Sequence, residues 1–544
     1  MGNVDVDVLI VGAGPTGLTL AIQLARFGVS YRLIDQSPAP SDKSKALAVQ
    51  SRTLELFATM GIADAAIREG LLGRAFALHT DHRPLGQIRF TADADTPYPY
   101  ILLLPQDDTE RLLLGRLTSL GGSVERAVTL ATFTQDANGV HATLTDADRG
   151  EETIACRWLV GCDGAHSTVR HGLQLQFEGS AYEQTYWLAD LHVHWSLAHD
   201  EIHGFLGERS SLFAFPIPEE RRYRLIAQQD GAAGNDPTLA DLQRLMDTLG
   251  PTGTVLSDPV WLTAFHLHHR KVDRYGVGNA FVAGDAAHIH SPAGGQGMNT
   301  GIQDADNLAW KLALVAHGKA DRALLTSYDA ERNPVAARVL RQTDLMFRVL
   351  INQSPIVRAL RNRLVPLLMS RRVFVRMMQR SIGELDIRYR TSPIVAEDGR
   401  RGGPHAGTRA PDGPLITPAG EKTSVWALSP HERMPQHTLL LLSGPYPSPT
   451  DRAAFTEIRQ VVQEHYRDLV ATHLIVTGGA MGHDPTWEAI RYDDPDQAIH
   501  RRYGTTGATL FLIRPDGYIG FRSRPANADA TRAYLARIFP SVSA

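Results

Sequence analysis

A glycine-rich turn between a strand and a helix, near the N-terminus, constrains the fold more than any other feature of the chain. Residues 4–11 (VDVDVLIV) are an apolar run typical of a buried strand, and the turn at 12–17 (GAGPTG) leads into a helix that reaches Phe27. A second strand, 31–34, ends in Asp35. A GxGxxG turn alone is a weak indication, but strand, turn, helix, strand and acidic residue in this order form the whole dinucleotide-binding unit.

The residues of this unit have distinct physical roles. Gly12 allows the tight turn, Gly14 lets a pyrophosphate approach the backbone, and Gly17 lets the helix pack on the sheet. Asp35 is placed to accept hydrogen bonds from the ribose hydroxyls of an adenosine. The predicted nucleotide contacts are these four residues together with Pro15, Thr16 and Gln36.

A second glycine-rich stretch lies between residues 279 and 317. The run Asn279 to Gly284 predicts a short buried strand, and Asp285 follows it at the end of the sheet where open α/β proteins bind ligands. The loop 291–297 (SPAGGQG) lets the backbone lie flat against a ligand, and a helix is predicted from about Met298. A flavin has a ribityl chain, a planar ring and a ring edge that becomes anionic on reduction. The carboxylate of Asp285 suits the ribityl hydroxyls, the glycine-rich backbone suits the planar ring, and the positively polarised N-terminus of the helix suits the anionic edge.

Residues 284–313 (GDAAHIHSPAGGQGMNTGIQDADNLAWKLA) resemble the second flavin fingerprint of single-component, FAD-dependent aromatic hydroxylases. The resemblance is to the branch with phenol hydroxylase and the polyketide hydroxylases, and it covers nearly the whole chain. Residues 162–170 (CDGAHSTVR) resemble the third fingerprint of that family, the Asp-Gly motif. The resemblance implies bound FAD and an NAD(P)H reductant, with NADPH favoured over NADH; the chain contains no second GxGxxG turn.

The resemblance also implies three domains within an α/β fold. An FAD-binding, Rossmann-type domain comprises 1–176 and 276–395, and an antiparallel-sheet substrate domain comprises 177–275. A thioredoxin-like domain comprises 396–544 and follows a segment rich in proline and glycine. It contains no Cys-X-X-Cys sequence, because the two cysteines are Cys156 and Cys162, so a structural or dimerising role is expected.

Carried over residue by residue, the resemblance places a larger set of side chains and main-chain groups on FAD. The set is Lys45, Arg52, Gln106, Asp163, Gly164, Gly284, Asp285, Pro292, Gly295, Gln296, Gly297, Met298 and Asn299. Many relatives have arginine where Lys45 stands, and lysine keeps the charge but loses the two-pronged geometry. Instead of contacting FAD, Arg52 could be an ordinary arginine on a surface helix, and Gln106 an ordinary polar residue at the start of a helix. Arg170 is expected to orient Asp163.

The resemblance implies a mechanism in which NAD(P)H reduces FAD and the reduced flavin reacts with O2 to form a C4a-hydroperoxide. Its distal oxygen is then transferred to an electron-rich aromatic ring, with the carbonyl of Pro292 at the ring edge. Phenol hydroxylase-like sequences have an aspartate, taken as the substrate base, where this chain has Leu47. The catalytic candidates that remain are His290, Tyr223, Tyr100 and His79. Alternatively, the substrate hydroxyl is already acidic, which favours a polycyclic phenol such as an aromatic polyketide.

Three other functions remain open at this stage. Baeyer–Villiger insertion or epoxidation uses the same flavin chemistry and is the main alternative. A flavin halogenase is disfavoured because the chain has no Trp-X-Trp-X-Ile pattern, and a non-enzymatic FAD-binding protein is the alternative from another class. The alternating His192 and His194 have no accompanying carboxylate or thiolate pattern, so no metal is predicted.

Composition sets the remaining limits. A chain of 544 residues is too long for one core, and a net charge of −4 with mixed signs gives no broad attraction to nucleic acid or to anionic membranes. Two cysteines cannot form a disulfide framework, and the chain shows no signal-peptide pattern. We therefore expect a cytoplasmic monomer or homodimer whose partners are an aromatic small molecule and O2, with no nucleic-acid or membrane partner.

Overall fold

The protein is described by a computed structural model that covers residues 4–41, 44, 46–80, 82–91, 95–208, 210–229, 236–289, 295–350, 352, 354–399, 402–429, 434–478 and 485–540, apart from the side chains of 181–184, 229, 266–268, 343–348 and 350. Three large sheets and one small sheet organise these residues. The predicted α/β class is confirmed, and the thioredoxin-like character of the last part stays a prediction.

The first large sheet contains the predicted nucleotide unit. Its central strands are parallel, in the order β18-β11-β1-β2, and the turn after β1 opens helix α1. An Asn-Gly turn and an Asp-Arg-Gly turn between residues 128 and 161 join three antiparallel strands. The strands are β1 Val6–Val11, β2 Tyr31–Asp35, β8 Glu125–Arg126, β9 Val128–Gln135, β10 Val140–Asp146, β11 Gly150–Gly161, β17 Gly276–Val277 and β18 Ala280–Val282.

The second large sheet is mostly antiparallel and lies beside the nucleotide-binding part. Its strands are β5 Ala75–Thr80, β6 Arg83–Arg89, β12 Phe177–His194, β13 Glu201–Leu206, β14 Ser211–Pro216, β15 Arg222–Gln229, β16 Val255–Val272 and β19 His288–Ile289. Strands β13 and β14 form one hairpin. The hairpin β5–β6 joins this sheet by parallel pairing of β5 with β13, although its residues lie far upstream in the sequence.

A three-stranded sheet connects these two parts. It consists of β3 Ala48–Val49, β4 Leu71–Gly73 and β7 Ile101–Leu103. The third large sheet lies in the C-terminal part and consists of β20 Ala396–Gly399, β21 Pro414–Ile416, β22 Lys422–Ser424, β23 His437–Leu442, β24 Val470–Val476, β25 Arg491–Asp493, β26 Thr509–Ile513 and β27 Ile519–Arg524.

Thirteen α-helices are defined within the described residues. They are α1 Pro15–Arg26, α2 Ser51–Met60, α3 Ala63–Glu69, α4 Gln106–Ser119, α5 Thr168–Gly172, α6 Leu239–Leu249, α7 Gly297–Ala316, α8 Thr326–Leu350, α9 Pro355–Met369, α10 Arg372–Ile382, α11 Pro449–Val461, α12 Ala498–Arg502 and α13 Ala528–Ile538. The predicted start of the helix after the second glycine loop is therefore confirmed within one residue. No helix among the described residues is both long enough and apolar enough to cross a bilayer.

Helix α7 is the most buried helix of the molecule. Nearly every residue from Asn299 to Val315 is inaccessible, and the main apolar core surrounds this helix. That core continues from the first sheet into the C-terminal sheet through residues such as Leu439 and Phe455. The C-terminal part is thus packed against the helix that follows the second glycine loop.

Candidate functional site

The glycines of the first loop differ in what surrounds them. A Cβ on Gly12 would lie 2.3 Å from the carbonyl oxygen of Cys162, and a Cβ on Gly17 would lie 1.9 Å from that of Gly12. Gly14 immediately precedes helix α1, and a Cβ on Gly14 would meet no atom within 4 Å. Gly12 and Gly17 therefore allow close packing, while Gly14 borders open space at a helix N-terminus, where a pyrophosphate fits.

Asp35 lies under the same loop at the end of β2. Its Oδ2 accepts a hydrogen bond of 2.7 Å from the main-chain N–H of Ala13, and its Oδ1 accepts one of 2.8 Å from that of Ser37. A carboxylate has acceptor sites beyond these two, so the predicted contact with a ribose stays compatible with this arrangement. The neighbouring Gln36 is exposed, and Pro15 is the buried first residue of helix α1.

Thr16 joins the first glycine loop to the second. A Cβ on Gly284 or on Gly301 would lie 2.5 Å from its hydroxyl oxygen, so the Thr16 side chain fits between these two glycines. Gly284 has a φ of +62° and begins a short 3₁₀ turn that includes Asp285. Asp285 is exposed at this turn, as the prediction of a ligand-facing carboxylate requires.

This turn is hydrogen-bonded to a buried ionic cluster around Asp304. The sequence analysis did not predict this cluster. The Oδ2 of Asp304 accepts hydrogen bonds from the N–H of Gly284 at 3.1 Å and lies 2.7 Å from the Nε2 of His288. Its Oδ1 accepts a hydrogen bond of 2.6 Å from the Nε of Arg332. Burial alone would raise the pKa of Asp304, but Arg332 and His288 outweigh it and hold that pKa below its usual value. The polar residues that alternate with apolar ones in the first half of helix α7, Asp304 among them, were the pattern from which this cluster could have been inferred.

The third predicted fingerprint forms a loop beside the other two. Asp163 accepts hydrogen bonds from the hydroxyl of Ser167 at 2.5 Å and from the N–H of Val169 at 3.1 Å. Burial raises the pKa of Asp163. The expectation that Arg170 orients Asp163 was wrong, because the Arg170 guanidinium donates instead to the carbonyl oxygens of Ala165 and Ala286. Arg170 thus joins the third loop to the second.

Open space surrounds two further glycines that were predicted to contact the cofactor. A Cβ on Gly164 or on Gly297 would meet no atom within 4 Å. Gly297 is the first residue of helix α7, with Gln296 before it and Met298 partly packed on the core. Open space therefore lies over one glycine of each of the three loops, Gly14, Gly164 and Gly297.

Asn299 was predicted to contact FAD, and its side chain has internal partners instead. Its amide group donates to the carbonyl oxygens of Ala48 and Gly295, at 2.8 and 2.6 Å, and its Oδ1 accepts a hydrogen bond from the N–H of Gln50. A Cβ on Gly295 would lie 2.7 Å from that of Ala48. The Asn299 side chain therefore holds strand β3 against the second glycine loop.

Gln106 has a comparable role at the start of helix α4. Its Oε1 accepts a hydrogen bond of 3.1 Å from the N–H of Ala46, and its Nε2 donates to Glu110 over 2.9 Å. Lys45, the adjacent predicted contact, lies outside the described residues, as do His290 and Pro292.

The surface-helix alternative for Arg52 was wrong, and the contacts of its side chain point away from a flavin role. Arg52 is buried; it donates to Glu55 and to the carbonyl oxygen of Asp516, at 2.9 and 2.6 Å. Its guanidinium also lies 5.1 Å from the ring centre of Trp426 and 5.2 Å from that of Tyr518. Three of these partners belong to the C-terminal part, so Arg52 joins helix α2 to that part.

The two faces of the second large sheet have different neighbours. Alternate residues of β15, including Tyr223, pack with Leu242 and Met246 of helix α6. The opposite face carries Phe76, Ile202 and Phe215, which pack with Leu47 of the nucleotide-binding part. We call this opposite face the Leu47 face, and it is the face turned towards the three loops.

Tyr223 and His79 therefore lie on the sheet face opposite to the one that packs on Leu47. The hydroxyl of Tyr223 accepts a hydrogen bond of 3.1 Å from the indole N–H of Trp195, and burial raises its pKa. His79 lies 3.3 Å from His203 beneath the same helix, and burial lowers its pKa to about 4. Tyr100 is partly buried next to Tyr98, and burial raises the pKa of its hydroxyl as well.

A buried ion pair on the Leu47 face was also missed. Strand pairing aligns Phe215, Arg224, Asp190 and Trp261 in one row across four strands. The Nε and Nη2 of Arg224 donate to the two carboxylate oxygens of Asp190, at 2.8 and 2.7 Å. This pair lies next to the apolar side chains of Phe215 and Trp261 in that row. No group of three or more His, Cys, Asp or Glu side chains suited to a metal occurs within the residues covered by the structure.

Three loops that border one crevice at the carboxyl ends of parallel strands, with an apolar sheet face over them, define a flavin-dependent hydroxylase class. A sequence profile of the family described as "FAD binding domain" matches residues 5–343, and the chain belongs to this family. It is an FAD-dependent monooxygenase of the aromatic hydroxylase type, with NAD(P)H as the reductant.

The chain is similar along its whole length to proteins of known activity. It is 34% identical to 6-methylpretetramide 4-monooxygenase of Streptomyces rimosus, over 97% of this chain and 93% of that protein. It is 31% identical to pentachlorophenol 4-monooxygenase of Sphingobium chlorophenolicum, over 96% and 94% of the two chains. Among solved structures, the OxyS anhydrotetracycline hydroxylase of Streptomyces rimosus is 32% identical, with a TM-score of 0.75 over 98% of this chain and 99% of that one.

Proposed function

We propose that this enzyme hydroxylates a phenolic ring of an extended, polycyclic aromatic substrate. The observation that carries the proposal is the environment of Leu47, which stands where related phenol hydroxylases have their base and is buried among Phe76, Ile202 and Phe215. A simple phenol, with a pKa of about 10, needs a base at neutral pH, whereas a polycyclic phenol with conjugated carbonyl groups ionises more readily. Relatives named for 6-methylpretetramide and anhydrotetracycline support this substrate class.

The cofactor-binding residues are part of the proposal. Gly12, Gly14 and Asp35 hold the adenosine and pyrophosphate, with Pro15, Thr16, Gln36 and Lys45 around them. Asp163, Gly164, Gly284 and Asp285 would hold the central part, and Pro292, Gly295, Gln296, Gly297 and Met298 would contact the ring, with Asn299 positioning Gly295. When bound, FAD accepts a hydride from NAD(P)H and activates O2 for transfer of one oxygen atom to the ring.

The remaining chemistry belongs to the chain itself. The N–H groups at the start of helix α7 have no side-chain cap, so they stabilise negative charge at the ring edge. The Leu47 face excludes water from the reacting atoms. The Arg224–Asp190 pair gives this face one fixed polar group that orients a substrate hydroxyl or carbonyl. His290 and Tyr100 are the remaining base candidates, because Tyr223 and His79 lie on the face opposite Leu47.

The proposal also specifies the reductant, the oligomeric state and the cellular compartment. NADPH is the preferred reductant, the chain is a monomer or homodimer, and the enzyme acts in the cytoplasm. The thiol of Cys156 is buried and neither cysteine forms a disulfide, which supports a reducing compartment.

The test is a comparison of phenol, 1-naphthol and a hydroxylated four-ring aromatic as substrates. We expect NADPH consumption coupled to product, with oxygen-18 from O2 in a new ring hydroxyl, and a coupling efficiency that rises with the number of rings. Equal turnover of phenol would refute the assigned substrate class. A lactone product would assign Baeyer–Villiger insertion instead, and uncoupled NADPH oxidation with every aromatic would refute hydroxylation of this class.

A further inference from the structure

Exposed apolar side chains are concentrated on one pair of helices. Among the described residues twelve large hydrophobic side chains are exposed, and seven of them lie between 356 and 377 on helices α9 and α10. Ile356 is 80% exposed and Val373 84% exposed. Single exposed apolar residues need no explanation, but a contiguous group on one element indicates an interaction surface.

The exposed residues follow the helical period. On α9 they are Ile356, Leu360, Leu364, Leu367 and Leu368, and on α10 they are Val373 and Met377. These spacings of three and four residues put each set on one face of its helix. The exposed apolar residues thus form a stripe, which we call the outer stripe.

The other side of the same two helices is already packed. Val365 and Met369 contact the cluster of Leu78, Leu85 and Leu206 on the second sheet, and Ile382 contacts the cluster of Leu47. Gln379 donates to the carbonyl oxygen of Thr91 over 2.8 Å. The inner face therefore fixes the helices in place, and the outer stripe has no intramolecular role in the described part of the chain.

Positive charge accompanies the outer stripe. Residues 355–382 contain seven arginines and no Asp, Glu or Lys, whereas the whole chain has a net charge of −4. Arg358 and Arg380 pair with Glu208 and Asp95. Arg363, Arg371, Arg372 and Arg376 are exposed, and no ion pair is recorded for them among the described residues. Residues 355–382 are therefore strongly basic, although the net charge of the whole chain is slightly negative.

We propose that the outer stripe and these four arginines dock the enzyme on the surface of an anionic phospholipid bilayer. Aliphatic side chains flanked by arginines on surface helices match a bilayer interface, where the apolar groups enter the acyl boundary and the guanidinium groups contact phosphates. A second copy of the chain fits less well, because a two-fold contact would oppose the same unpaired arginines. An acidic protein accounts for the arginines but not for an aliphatic stripe over two helices.

The position of the docking surface has a consequence for the substrate. Helices α9 and α10 pack beside the Leu47 face, at its β5–β6 end, so an enzyme on the bilayer would hold this face close to apolar aromatics dissolved in the lipid. This consequence rests on the proposed substrate class, whereas the docking itself does not.

The experiment is vesicle co-sedimentation of the full-length, FAD-loaded enzyme. Vesicles of phosphatidylcholine alone are compared with vesicles that also contain phosphatidylglycerol, and no substrate is present, so the result is independent of the hydroxylation proposal. We expect binding to the phosphatidylglycerol vesicles alone, weakened by salt.

Two double variants and two controls make the test specific. Ile356→Ser with Val373→Ser should lose most of the binding, and Arg372→Gln with Arg376→Gln should weaken it about thirtyfold. The matched controls are Val260→Ser, at a site 73% exposed, and Arg149→Gln, at a side chain 81% exposed; both should bind like the parent enzyme. Circular dichroism confirms that each variant is folded.

Other outcomes would overturn the proposal. Absence of binding to both vesicle types, or equal loss of binding in the control variants, would refute it. A concentration-dependent dimer in light scattering that is abolished by the Ile356→Ser, Val373→Ser variant, without vesicle binding, would assign the stripe to self-association. Binding to polyglutamate without vesicle binding would assign the surface to an acidic protein.

Discussion

The side chain of Asn299 accepts a hydrogen bond from the main-chain N–H of Gln50, across 2.9 Å and 249 positions of sequence. The same side chain donates to the carbonyl oxygens of Ala48 and Gly295. Because Asn299 lies in the first turn of helix α7, one buried amide sets the distance between strand β3 and the second glycine loop. In the proposed site, these two segments would border the flavin ring.

Replacement of Asn299 should weaken FAD binding through this positioning role. Asn299→Ala leaves three main-chain groups without partners, and we expect a loss of about 3 kcal/mol in the free energy of unfolding and at least about tenfold weaker FAD binding. Urea unfolding and flavin fluorescence titration measure the two effects. Asn138→Ala, in an exposed turn, is the control, and its unfolding free energy should change by less than about 0.5 kcal/mol. An unchanged FAD affinity in Asn299→Ala would contradict the role.

Gly12 and Gly14 should respond differently to the same substitution. Gly12→Ala places a Cβ 2.3 Å from a carbonyl oxygen at a φ of +100°, so the apoprotein should lose about 3 kcal/mol of stability or more. Gly14→Ala meets open space at a φ of −76°, so the apoprotein should keep its melting temperature. FAD binding to Gly14→Ala should nevertheless weaken about tenfold or more, because the methyl group occupies the pyrophosphate position. Unchanged FAD affinity in Gly14→Ala would place the phosphates elsewhere.

Tyr223→Phe tests the assignment of the two sheet faces. The variant loses the hydrogen bond from Trp195 and should be destabilised by about 1–2 kcal/mol. Since Tyr223 faces helix α6, kcat and its pH profile should stay within about twofold of the parent values. A large loss of kcat, or a shifted pH optimum, would restore Tyr223 as a catalytic residue.

Glu384 gives the fold a calculable pH dependence. It lies buried against helix α7 and accepts hydrogen bonds from Thr300 and Gln303, and burial raises its pKa to about 8, with Arg332 opposing the shift and Asp386 adding to it. The folded state therefore holds a proton that the unfolded state releases above its own pKa of about 4.3. The contribution of Glu384 to the free energy of unfolding is fully present below about pH 4. It decreases as the pH rises towards 8, by at most about 1.4 kcal/mol per pH unit.

Glu384→Gln should remove this decrease. Urea unfolding from pH 5 to pH 8 would measure the slope, and the variant should equal the parent near pH 5 and exceed it near pH 8. Identical slopes in the two proteins would show that Glu384 ionises normally.

The C-terminal part should depend on one buried ion pair with the flavin-binding part. Arg514 donates to both carboxylate oxygens of Glu331 on helix α8, at 2.5 and 2.9 Å, and no atom of the pair is accessible. Arg514→Gln leaves a buried carboxylate short of a partner and should cost about 3–5 kcal/mol of unfolding free energy. Arg532→Gln, from the half-exposed pair with Glu457, should cost about 0–1 kcal/mol. Equal effects of the two substitutions would contradict the role of the buried pair.

The sequence predicted those parts of the site whose chemistry is local. The turn at Gly12 to Gly17, the strand before Asp285 and the start of helix α7 are each specified by neighbouring residues, and the structure agrees with all three. Roles that need a distant partner were predicted less well. Arg52 and Arg170 are examples, because their hydrogen-bond acceptors lie 464 and 116 positions away in the chain.

The sequence by itself determined the nucleotide unit, the flavin loops and the absence of a Cys-X-X-Cys pair, because glycine turns, strand periods and residue identities act over a few positions. Only the tertiary structure decided which residues of the second sheet pack on Leu47, and that Tyr223 and His79 lie on the opposite face. It also decided that Arg224 with Asp190, and Asp304 with His288 and Arg332, form buried ion pairs. Long-range strand pairing and burial set these relationships, and neither is specified by residues that are neighbours in the sequence.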